Sequence, residues 1–495
     1  MTADAVLAID QGTSGTKAVV VDPLDGVLAA AEFSLHPRYL PDGGVEQDPH
    51  ELLDSVLDAG QQAVAQAGRP VGTVALANQG ETVLAWDRGS GSPLSPAIVW
   101  QDRRAADVCA GLEDHRELLS ARTGLVLDPY FSAPKMTWLR RHVTTDGVVT
   151  TTDSWLVNKL TGEFVTDPAT ASRSLILDID RIDWDPELLQ LFGLDDESLP
   201  RIADCDELVG ATTAFGAPMA VGGLIVDQQA ALLAEGCWEP GAAKCTFGTG
   251  AFLLANTGTR AVRSAAGLTG SVAWRTRDQA AYCIDGQVYT AASAVRWLNT
   301  LGFISHASEL DTIAANSSEG VLCVPALAGL AAPWWRPDAT ASFTGITLAT
   351  RPEHLVIAVL EGIAAQVAEV ADVITGDLGK SLRSLRVDGG LTRSRTLMQA
   401  VANLTQLPVE LYPSAHATAL GAAALARMAH HPGLALSQAV LDWTSATSYE
   451  PHWTPDQAAD FRQRWRATAT ATMPPRNPDD RSYRPARAAR GTDHL

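Results

Sequence analysis

The chain opens with two short runs of apolar residues, 6–9 and 18–21, that enclose a polar turn. Runs of this length on either side of a glycine-containing loop are typical of a β-hairpin. The turn reads DQGTSGTK over residues 10–17, and such a turn can direct backbone N–H groups, hydroxyls and an ammonium at a phosphate. Asp10 ends the first strand, where a carboxylate can hold Mg²⁺ through water. An ordinary hairpin with a polar tip is the alternative at this point.

A second strong pattern lies late in the chain, where apolar residues recur at helical spacing over residues 355–374. Thr350 and Glu353 form a capping-box pattern before it, and Gly376 is placed to end it. Polar and acidic residues interrupt the segment, so we predict a buried amphipathic helix and no membrane span.

Both halves of the chain begin with apolar strands around a turn of glycine and threonine. In the first half, the hairpin precedes a predicted helix at 49–67 and a strand at 73–77. After a turn-rich stretch at 235–241, the second half begins with KCTFGTGAFLLANTG at residues 244–258. The sequence therefore predicts two related α/β lobes at 1–236 and 237–473, followed by a flexible tail at 474–495 that has no periodicity.

Two further turns have features of phosphate sites. Residues 247–252 read FGTGAF, and residues 385–392 read LRVDGGLT before a predicted helix at 394–405. Their glycines allow close approach of a backbone to a ligand, and the second pair would lie at a helix N-terminus, where anions bind. Neither GxxxxGK[ST] nor a GxGxxG after a strand is present, which disfavours P-loop enzymes and Rossmann dehydrogenases.

Composition narrows the possible partners. The chain has 495 residues, 46% of them hydrophobic, and a formal net charge of -20. Nucleic acids and anionic membranes require basic surface, so neither is an expected partner. The N-terminus has no signal-peptide pattern, and the six cysteines are scattered, which together indicate reduced thiols and a cytoplasmic location.

Taken in order, these motifs resemble the FGGY carbohydrate kinases, and among them the glycerol kinases. YFSAPKMTWL at residues 130–139 resembles the first family signature, and ASFTGI at 341–346 with HLVIAVLE at 354–361 resembles the second. The resemblance extends from residue 6 to about residue 426. It implies two ribonuclease-H-like lobes of the actin/hexokinase/Hsp70 ATPase superfamily, and an enzyme that uses ATP and Mg²⁺ to phosphorylate a small polyol, with a dimer or tetramer as a possible assembly.

The resemblance also implies roles for individual residues. Asp10 matches the Mg²⁺-associated carboxylate and Asp227 the catalytic base, a role that fits a carboxylate within reach of the acceptor hydroxyl. The expected nucleotide positions are Thr13, Ser14, Gly15, Lys17, Gly248, Thr249, Ala292, Arg296, Gly389, Gly390 and Ser394. The expected substrate positions are Gly80, Glu81, Trp100, Tyr130, Asp227, Gln228 and Phe252.

The departure from the family pattern that bears most on the substrate lies at residue 80. Glycerol kinases usually read NQRET where this chain has NQGET at residues 78–82, so Gly80 replaces an arginine. If glycerol bound unchanged, oxygens left without partners would cost about 1–3 kcal/mol when buried without water. Water or a larger acceptor could fill the gap. The acceptor therefore stays open among glycerol, a tetritol and a ketopentose, and a non-catalytic actin-like ATPase or sugar sensor is a further alternative.

Overall fold

Two mixed β-sheets organise the computed structural model, which describes residues 5–277, 279–445 and 447–473. The strands of the first half are β1 (Ala5–Gln11), β2 (Gly15–Asp22), β3 (Gly26–Ser34), β4 (Arg38–Tyr39), β5 (Val45–Gln47), β6 (Val71–Asn78), β7 (Val83–Asp87), β8 (Ser92–Pro93), β9 (Ala97–Ile98), β10 (Val148–Thr151), β11 (Val165–Thr166), β12 (Leu177–Asp178), β13 (Asp183–Trp184), β14 (Arg201–Ile202), β15 (Leu208–Thr212) and β16 (Met219–Val226).

The first sheet has the order β15-β16-β6-β1-β2-β3. Strands β1, β6 and β16 run parallel, and the β1–β2 and β2–β3 pairs are antiparallel. Because the carboxyl ends of parallel strands meet at one edge, Asp10, Gly80 and Asp227 come together there. A smaller separate sheet has the order β10-β7-β9-β5-β4, with β8 paired to β7. Its strand β7 follows Gly80 directly in the chain.

The second half repeats the same plan. Its strands are β17 (Ala243–Phe247), β18 (Ala251–Gly258), β19 (Thr269–Arg275), β20 (Ala280–Val288), β21 (Leu322–Val324), β22 (Ser342–Thr344), β23 (Leu385–Asp388), β24 (Val409–Leu411) and β25 (Ser448–Tyr449). They form a sheet in the order β19-β20-β18-β17-β23-β24-β25, with β21 and β22 paired separately. Parallel pairing of β17 with β23 brings two of the predicted phosphate turns to one edge.

Helices cover these sheets. They are α1 (Pro49–Gln66), α2 (Ala106–Gly111), α3 (Arg116–Thr123), α4 (Ser132–His142), α5 (Thr152–Thr161), α6 (Pro168–Ala171), α7 (Pro186–Phe192), α8 (Asp227–Ala234), α9 (Ala292–Thr300), α10 (Leu310–Ile313), α11 (Pro352–Leu378), α12 (Arg395–Thr405), α13 (Ala417–His430), α14 (Leu436–Ala439) and α15 (Pro455–Thr472). The predicted helices at 49–67 and 394–405 and the strand at 73–77 are confirmed as α1, α12 and β6, each within two residues.

The long helix α11 has different ends from those predicted. It begins after Arg351, whose backbone N–H donates to Nδ1 of His354 at 3.1 Å, so the expected capping box of Thr350 and Glu353 is wrong by one residue. Pro352 explains the shift, because proline is favoured in the first helical turn. Gly376 does not end the helix either; Gly379 does, in the left-handed conformation with φ 62°.

Helices α8 and α13 lie between the two main sheets and join the halves. Both contribute to one apolar core that also contains residues of β1, β6, β18 and β20. They approach so closely that a Cβ at Gly421 would lie 1.9 Å from the carbonyl oxygen of Ala230. Since α13 belongs to the second half but packs on the first sheet, the lobe boundary at 236/237 stays a prediction.

Three further expectations concern membrane spans, the cysteines and the C-terminal tail. No helix among the described residues has the length and apolar character needed to cross a bilayer. All six cysteines are buried and free. The predicted tail at 474–495 lies outside the described residues.

Candidate active site

The turn between β1 and β2 presents polar groups at the edge of the first sheet. The Gly12 N–H donates to the Gly15 carbonyl oxygen at 3.0 Å and closes the turn. Ser14 at the tip is exposed, and 38% of the Lys17 side chain is exposed on the strand position opposite Asp10. A hydroxyl, a cation and a carboxylate thus lie together, as the sequence predicted.

Thr13 is bound more tightly than its neighbours. Its Oγ1 donates to Oε1 of Gln79 and accepts from Nε1 of Trp100, both at 2.9 Å. Its carbonyl oxygen accepts from Nε2 of Gln47 at 2.8 Å. A hydroxyl has a single hydrogen to donate, so in this arrangement the Thr13 side chain ties Trp100 to the hairpin and has no hydrogen left for a phosphate.

Negative charge is concentrated at this edge. Burial, with the nearby charges of Asp227 and Asp388, raises the pKa of the Asp10 carboxyl to about 7 against the opposing effect of Lys17. Oδ1 of Asp388 is buried and accepts no hydrogen bond from the described residues. A divalent cation would relieve this repulsion, and carboxylate oxygens are ligands that Mg²⁺ prefers. No cluster of three or more metal-ligating side chains occurs within the described ranges.

The turn between β17 and β18 lies against the start of α9. The carbonyl oxygens of Gly248 and Thr249 accept from the backbone N–H groups of Ala292 and Ala291 at 3.0 and 2.9 Å. The Thr249 side chain is exposed, and so is Arg296 on the next turn of α9. These four predicted nucleotide residues therefore form one continuous surface.

The turn after β23 packs directly on the β17 turn. Gly389 has φ 95°, and a Cβ there would lie 2.5 Å from the carbonyl oxygen of Phe247, so glycine is required on both counts. Gly390 has open space around it. Ser394 caps α12, and its Oγ donates to Oδ1 of Asp311 at 2.9 Å. The Ser394 hydroxyl is therefore engaged within the protein.

A pocket of about 300 Å³ of empty volume opens between the two halves, beside the first edge. We call it the acceptor pocket. It contains five of the predicted substrate residues and five others that the sequence did not indicate. The lining residues are Glu81, Tyr130, Arg173, Val226, Asp227, Gln228, Gln229, Phe252, Leu254 and Asp285.

A buried arginine holds two acids in the wall of the acceptor pocket. Nε of Arg173 donates to Oε1 of Glu81, and Nη1 donates to Oδ1 of Asp285, both at 2.6 Å. Burial raises the pKa of Glu81, and the charge and hydrogen bond of Arg173 oppose that rise. Glu81 also has a left-handed backbone with φ 59°, a conformation that non-glycine residues adopt at some cost, often at functional sites.

Aromatic rings from both halves form the apolar side of the pocket. Trp100 packs edge-on against Tyr130 at 5.5 Å and against Phe252 at 6.4 Å between ring centroids. Nζ of Lys135 donates to three backbone carbonyl oxygens, those of Pro129 at 2.9 Å, Phe131 at 2.6 Å and Tyr130. These bonds fix the backbone turn that carries the Tyr130 ring. Burial lowers the pKa of Lys135 to about 7.

Asp227 and Gln228 begin helix α8 where strand β16 ends. Burial raises the pKa of Asp227, while the Gln228 backbone N–H, which donates to its Oδ1 at 2.7 Å, and the charge of Lys244 lower it. Nζ of the fully buried Lys244 donates to Oε1 of Gln228 and to Oγ1 of Thr246, both at 2.6 Å. With its oxygen engaged, the Gln228 amide has only N–H donors to offer; its side chain also lowers the pKa of Asp227 through a hydrogen bond, and its second N–H can meet a ligand.

The space beside Gly80 is smaller than the sequence suggested. A Cβ at this position would lie 3.0 Å from Cγ2 of Val226, which lines the acceptor pocket. Val226 therefore occupies part of the volume that a missing side chain would leave.

The comparisons with known proteins agree with this geometry. A family model for the N-terminal domain of FGGY carbohydrate kinases matches residues 5–234, and the model for the C-terminal domain matches residues 243–430. The chain belongs to the FGGY family of carbohydrate kinases. The predicted two-lobed α/β fold and the prediction of an ATP-dependent phosphotransferase are thereby confirmed.

Several FGGY proteins are similar over most of their length. A glycerol kinase of Alkalilimnicola ehrlichii is 44% identical over 446 residues, covering 86% of this chain and 90% of the relative. A glycerol kinase of Thermus brockianus is 41% identical over 437 residues, which cover 84% of this chain and 88% of the relative. The crystal structure of Plasmodium falciparum glycerol kinase with ADP aligns with a TM-score of 0.89 at 30% identity, covering 95% and 98%. The structure of a xylulose kinase from Lactobacillus acidophilus shares the fold. It aligns with a TM-score of 0.86 at 20% identity and covers 94% of this chain and 98% of that one.

Within this FGGY site, Arg173 and Asp285 are the main residues that sequence reasoning missed. Arg173 stands in a stretch of small and apolar residues, and it meets Glu81 from 92 positions away, so no local spacing links them. Asp285 gave a weak signal, as an acid within the apolar strand β20. The roles of the residues that were predicted remain predictions, although the structure brings them to two adjoining surfaces.

Proposed function

We propose that this chain transfers the γ-phosphoryl group of ATP to a hydroxyl of glycerol or a closely related small polyol. The position of Asp227 carries the proposal. Its carboxyl lines the acceptor pocket and also lies close enough to Asp10 to raise the pKa of that group. One carboxylate is thus placed between the acceptor and the turns assigned to phosphate.

Asp227 is assigned as the general base. As the acceptor oxygen bonds to the γ-phosphorus, its proton passes to Asp227, and the bond between that phosphorus and the bridging oxygen of ADP breaks. The backbone N–H of Gln228 and the charge of Lys244 favour the ionised carboxylate that this step requires, since both lower its pKa against the effect of burial.

Negative charge on the phosphates would be neutralised by groups from all three turns. Lys17 supplies a cation, residues 248–249 supply partly exposed backbone with the Thr249 hydroxyl, and the exposed glycines at 389–390 supply backbone. Asp10, with Asp388 beside it, would hold Mg²⁺, which when bound neutralises phosphate oxygens. In this assignment the Thr13 side chain does not bind phosphate. Its hydrogen bond orients Trp100, which packs against Tyr130 and Phe252 beside the acceptor pocket.

The acceptor pocket fits a short, uncharged polyol. Glu81 accepts hydrogen bonds and Gln228 donates them, while Phe252 and Tyr130 provide aromatic surface for a carbon chain. Three acids, Glu81, Asp227 and Asp285, line the same small volume, which disfavours an anionic acceptor. The glycerol kinases at 41–44% identity support glycerol in particular. A tetritol or a ketopentose is the alternative acceptor.

Two finer features belong to the same proposal. The reaction would take place in the cytoplasm, where ATP is available, and the enzyme would act as a dimer or tetramer, as the resemblance implied. Sedimentation of the purified chain would determine its assembly.

The test is ATP-dependent phosphorylation across polyols, ketoses and aldoses of three to six carbons. We expect glycerol or a four-carbon polyol to give the highest kcat/KM. Asp227→Ala should lower kcat by about 100- to 10,000-fold while ATP binding and the melting temperature change little. Asp196→Ala, at an exposed position outside the site, is the matched control. Near-wild-type turnover of Asp227→Ala would exclude the base assignment, and no turnover of any polyol would exclude the function.

A further inference from the structure

The guanidinium of Arg173 is fixed before any ligand binds. Only 6% of its side chain is exposed, and ion pairs to Glu81 and Asp285 hold its Nε and Nη1. The rings of Tyr130 and Phe131 lie 5.8 and 5.4 Å from its central carbon. An arginine held on two sides and faced by aromatic rings loses little further entropy when it forms another hydrogen bond.

One nitrogen of this group remains available. Across the described residues, Nη2 of Arg173 forms no hydrogen bond, although it carries two N–H groups. Arg173 lines the acceptor pocket. A planar guanidinium held through its other two nitrogens therefore leaves Nη2 for a ligand in the pocket that Glu81, Asp227 and Gln228 also line.

We propose that Arg173 is a substrate-binding residue, which donates from Nη2 to an oxygen of the acceptor. This inference rests on the proposed function, since it takes the acceptor to be a polyol. It also addresses the departure at Gly80, because a donor that the side chain of residue 80 cannot give is supplied from the loop after α6. The acceptor oxygen contacted by Nη2 would then be a main determinant of which polyol is used.

The experiment compares Arg173→Lys with the wild type on glycerol, 1,2-propanediol and 1,3-propanediol, used as substrates or as competitive inhibitors. Each diol lacks one hydroxyl of glycerol: 1,2-propanediol lacks a terminal hydroxyl, and 1,3-propanediol lacks the central one. If Nη2 contacts one hydroxyl, the variant should lose about 10- to 100-fold in kcat/KM with glycerol, mainly through KM. It should lose less than about threefold with the diol that lacks that hydroxyl, because the interaction is already absent.

A matched variant separates this contact from general loss of a buried ion pair. Arg140→Lys removes a guanidinium that pairs with buried Glu197 at 2.8 Å and lies outside the acceptor pocket. It should leave all three acceptors unaffected. An equal loss with glycerol and with both diols in Arg173→Lys would mean that Arg173 only holds the wall of the pocket, and would overturn the proposal.

A second measurement does not depend on the variant folding. In a crystal structure of the wild-type chain with the preferred acceptor bound, Nη2 of Arg173 should lie within about 3.2 Å of an acceptor oxygen. A separation beyond about 4 Å would overturn the proposal even if the kinase activity is established. If the panel instead selects a sugar, the same two tests are run with that sugar and its deoxy analogues, so failure of the polyol assignment and failure of the Arg173 contact are distinguished.

Discussion

The two sides of the site are built in opposite ways. On the acceptor side, Arg173 is paired with two acids and Lys135 with three carbonyl oxygens before any substrate arrives. On the phosphate side, no ion pair to Asp10 or Asp388 occurs among the described residues, Oδ1 of Asp388 accepts no hydrogen bond there, and Lys17 is partly exposed with its Nζ 4.0 Å from Glu32. Two of the three acids that line the acceptor pocket are thus paired with a fixed cation, and the acids on the phosphate side are not.

The difference follows from what each ligand carries. A polyol brings no charge that could balance Glu81 and Asp285, so Arg173 balances them within the protein, and fixed donors there bind without reorganisation. A nucleotide brings several negative charges and a metal ion, so the surface that receives it can leave carboxylates unbalanced. This arrangement costs stability in the free enzyme, as is common for functional sites.

The largest expected effect comes from Asp10→Asn. Its kcat should fall by about 100-fold or more, because the variant loses the carboxylate assigned to Mg²⁺. Without nucleotide, the same variant should be more stable than the wild type at pH 8, by on the order of 1–2 kcal/mol. The pKa of Asp10 is about 7 in the folded state, against about 3.9 for an aspartate in an unfolded chain, so the wild type loses stability as pH rises from about 4 to 7. Urea unfolding at pH 5 and pH 8 measures the difference.

Asp22→Asn is the control with the opposite sign. Backbone N–H groups of Leu24 and Asp25 and the guanidinium of Arg69 lower the pKa of this carboxyl, so it stabilises the fold at neutral pH and that contribution is lost in acid. The variant should be less stable than the wild type at pH 8. If both variants shift stability in the same direction, the comparison between unbalanced and balanced carboxylates fails.

The next largest effect is expected on stability, from a substitution in the turn after β23 on the phosphate side. Gly389→Ala should destabilise the fold by about 2–4 kcal/mol, because it adds a Cβ at positive φ against the Phe247 backbone. It should also raise the KM for ATP. Gly390→Ala changes the neighbouring residue, where nothing lies within 4 Å, and should be tolerated. Thermal unfolding of both variants is the measurement, and equal melting temperatures would contradict the packing argument.

The parts of the candidate site that could be predicted are those with local signals in the sequence. Turns of glycine and threonine, the apolar hairpin and the strand-end position of Asp227 are visible in short stretches of sequence, and the structure places them as a group. The pairing of Arg173 with Glu81 and Asp285 depends on contacts across 92 and 112 positions, so no spacing rule could indicate it. The tie between Thr13 and Trp100 and the space taken by Val226 were missed for the same reason.

A smaller effect concerns Lys244, which is buried where the two sides meet. Lys244→Met removes a charge that lowers the pKa of Asp227 and the donor that orients the Gln228 amide. The acid limb of the pH profile of kcat/KM for the acceptor should therefore move to higher pH, and the acceptor KM should rise by about 5- to 10-fold. Lys380→Met, at an exposed lysine distant from the pocket lining, should leave the profile in place. A change in the ATP KM alone would assign Lys244 to the phosphate side instead.

The smallest effect is expected at Gly80. Because a Cβ there would lie 3.0 Å from Val226, Gly80→Arg alone should press Val226 into the pocket and raise the acceptor KM. In a Val226→Ala background the arginine gains room, and glycerol use should improve over that of larger polyols by about threefold. The gain is small because Arg173 already offers a guanidinium to the same pocket. If Gly80→Arg by itself improved glycerol use tenfold or more, the acceptor side would lack a donor after all, and the fixed guanidinium of Arg173 would not be serving the polyol.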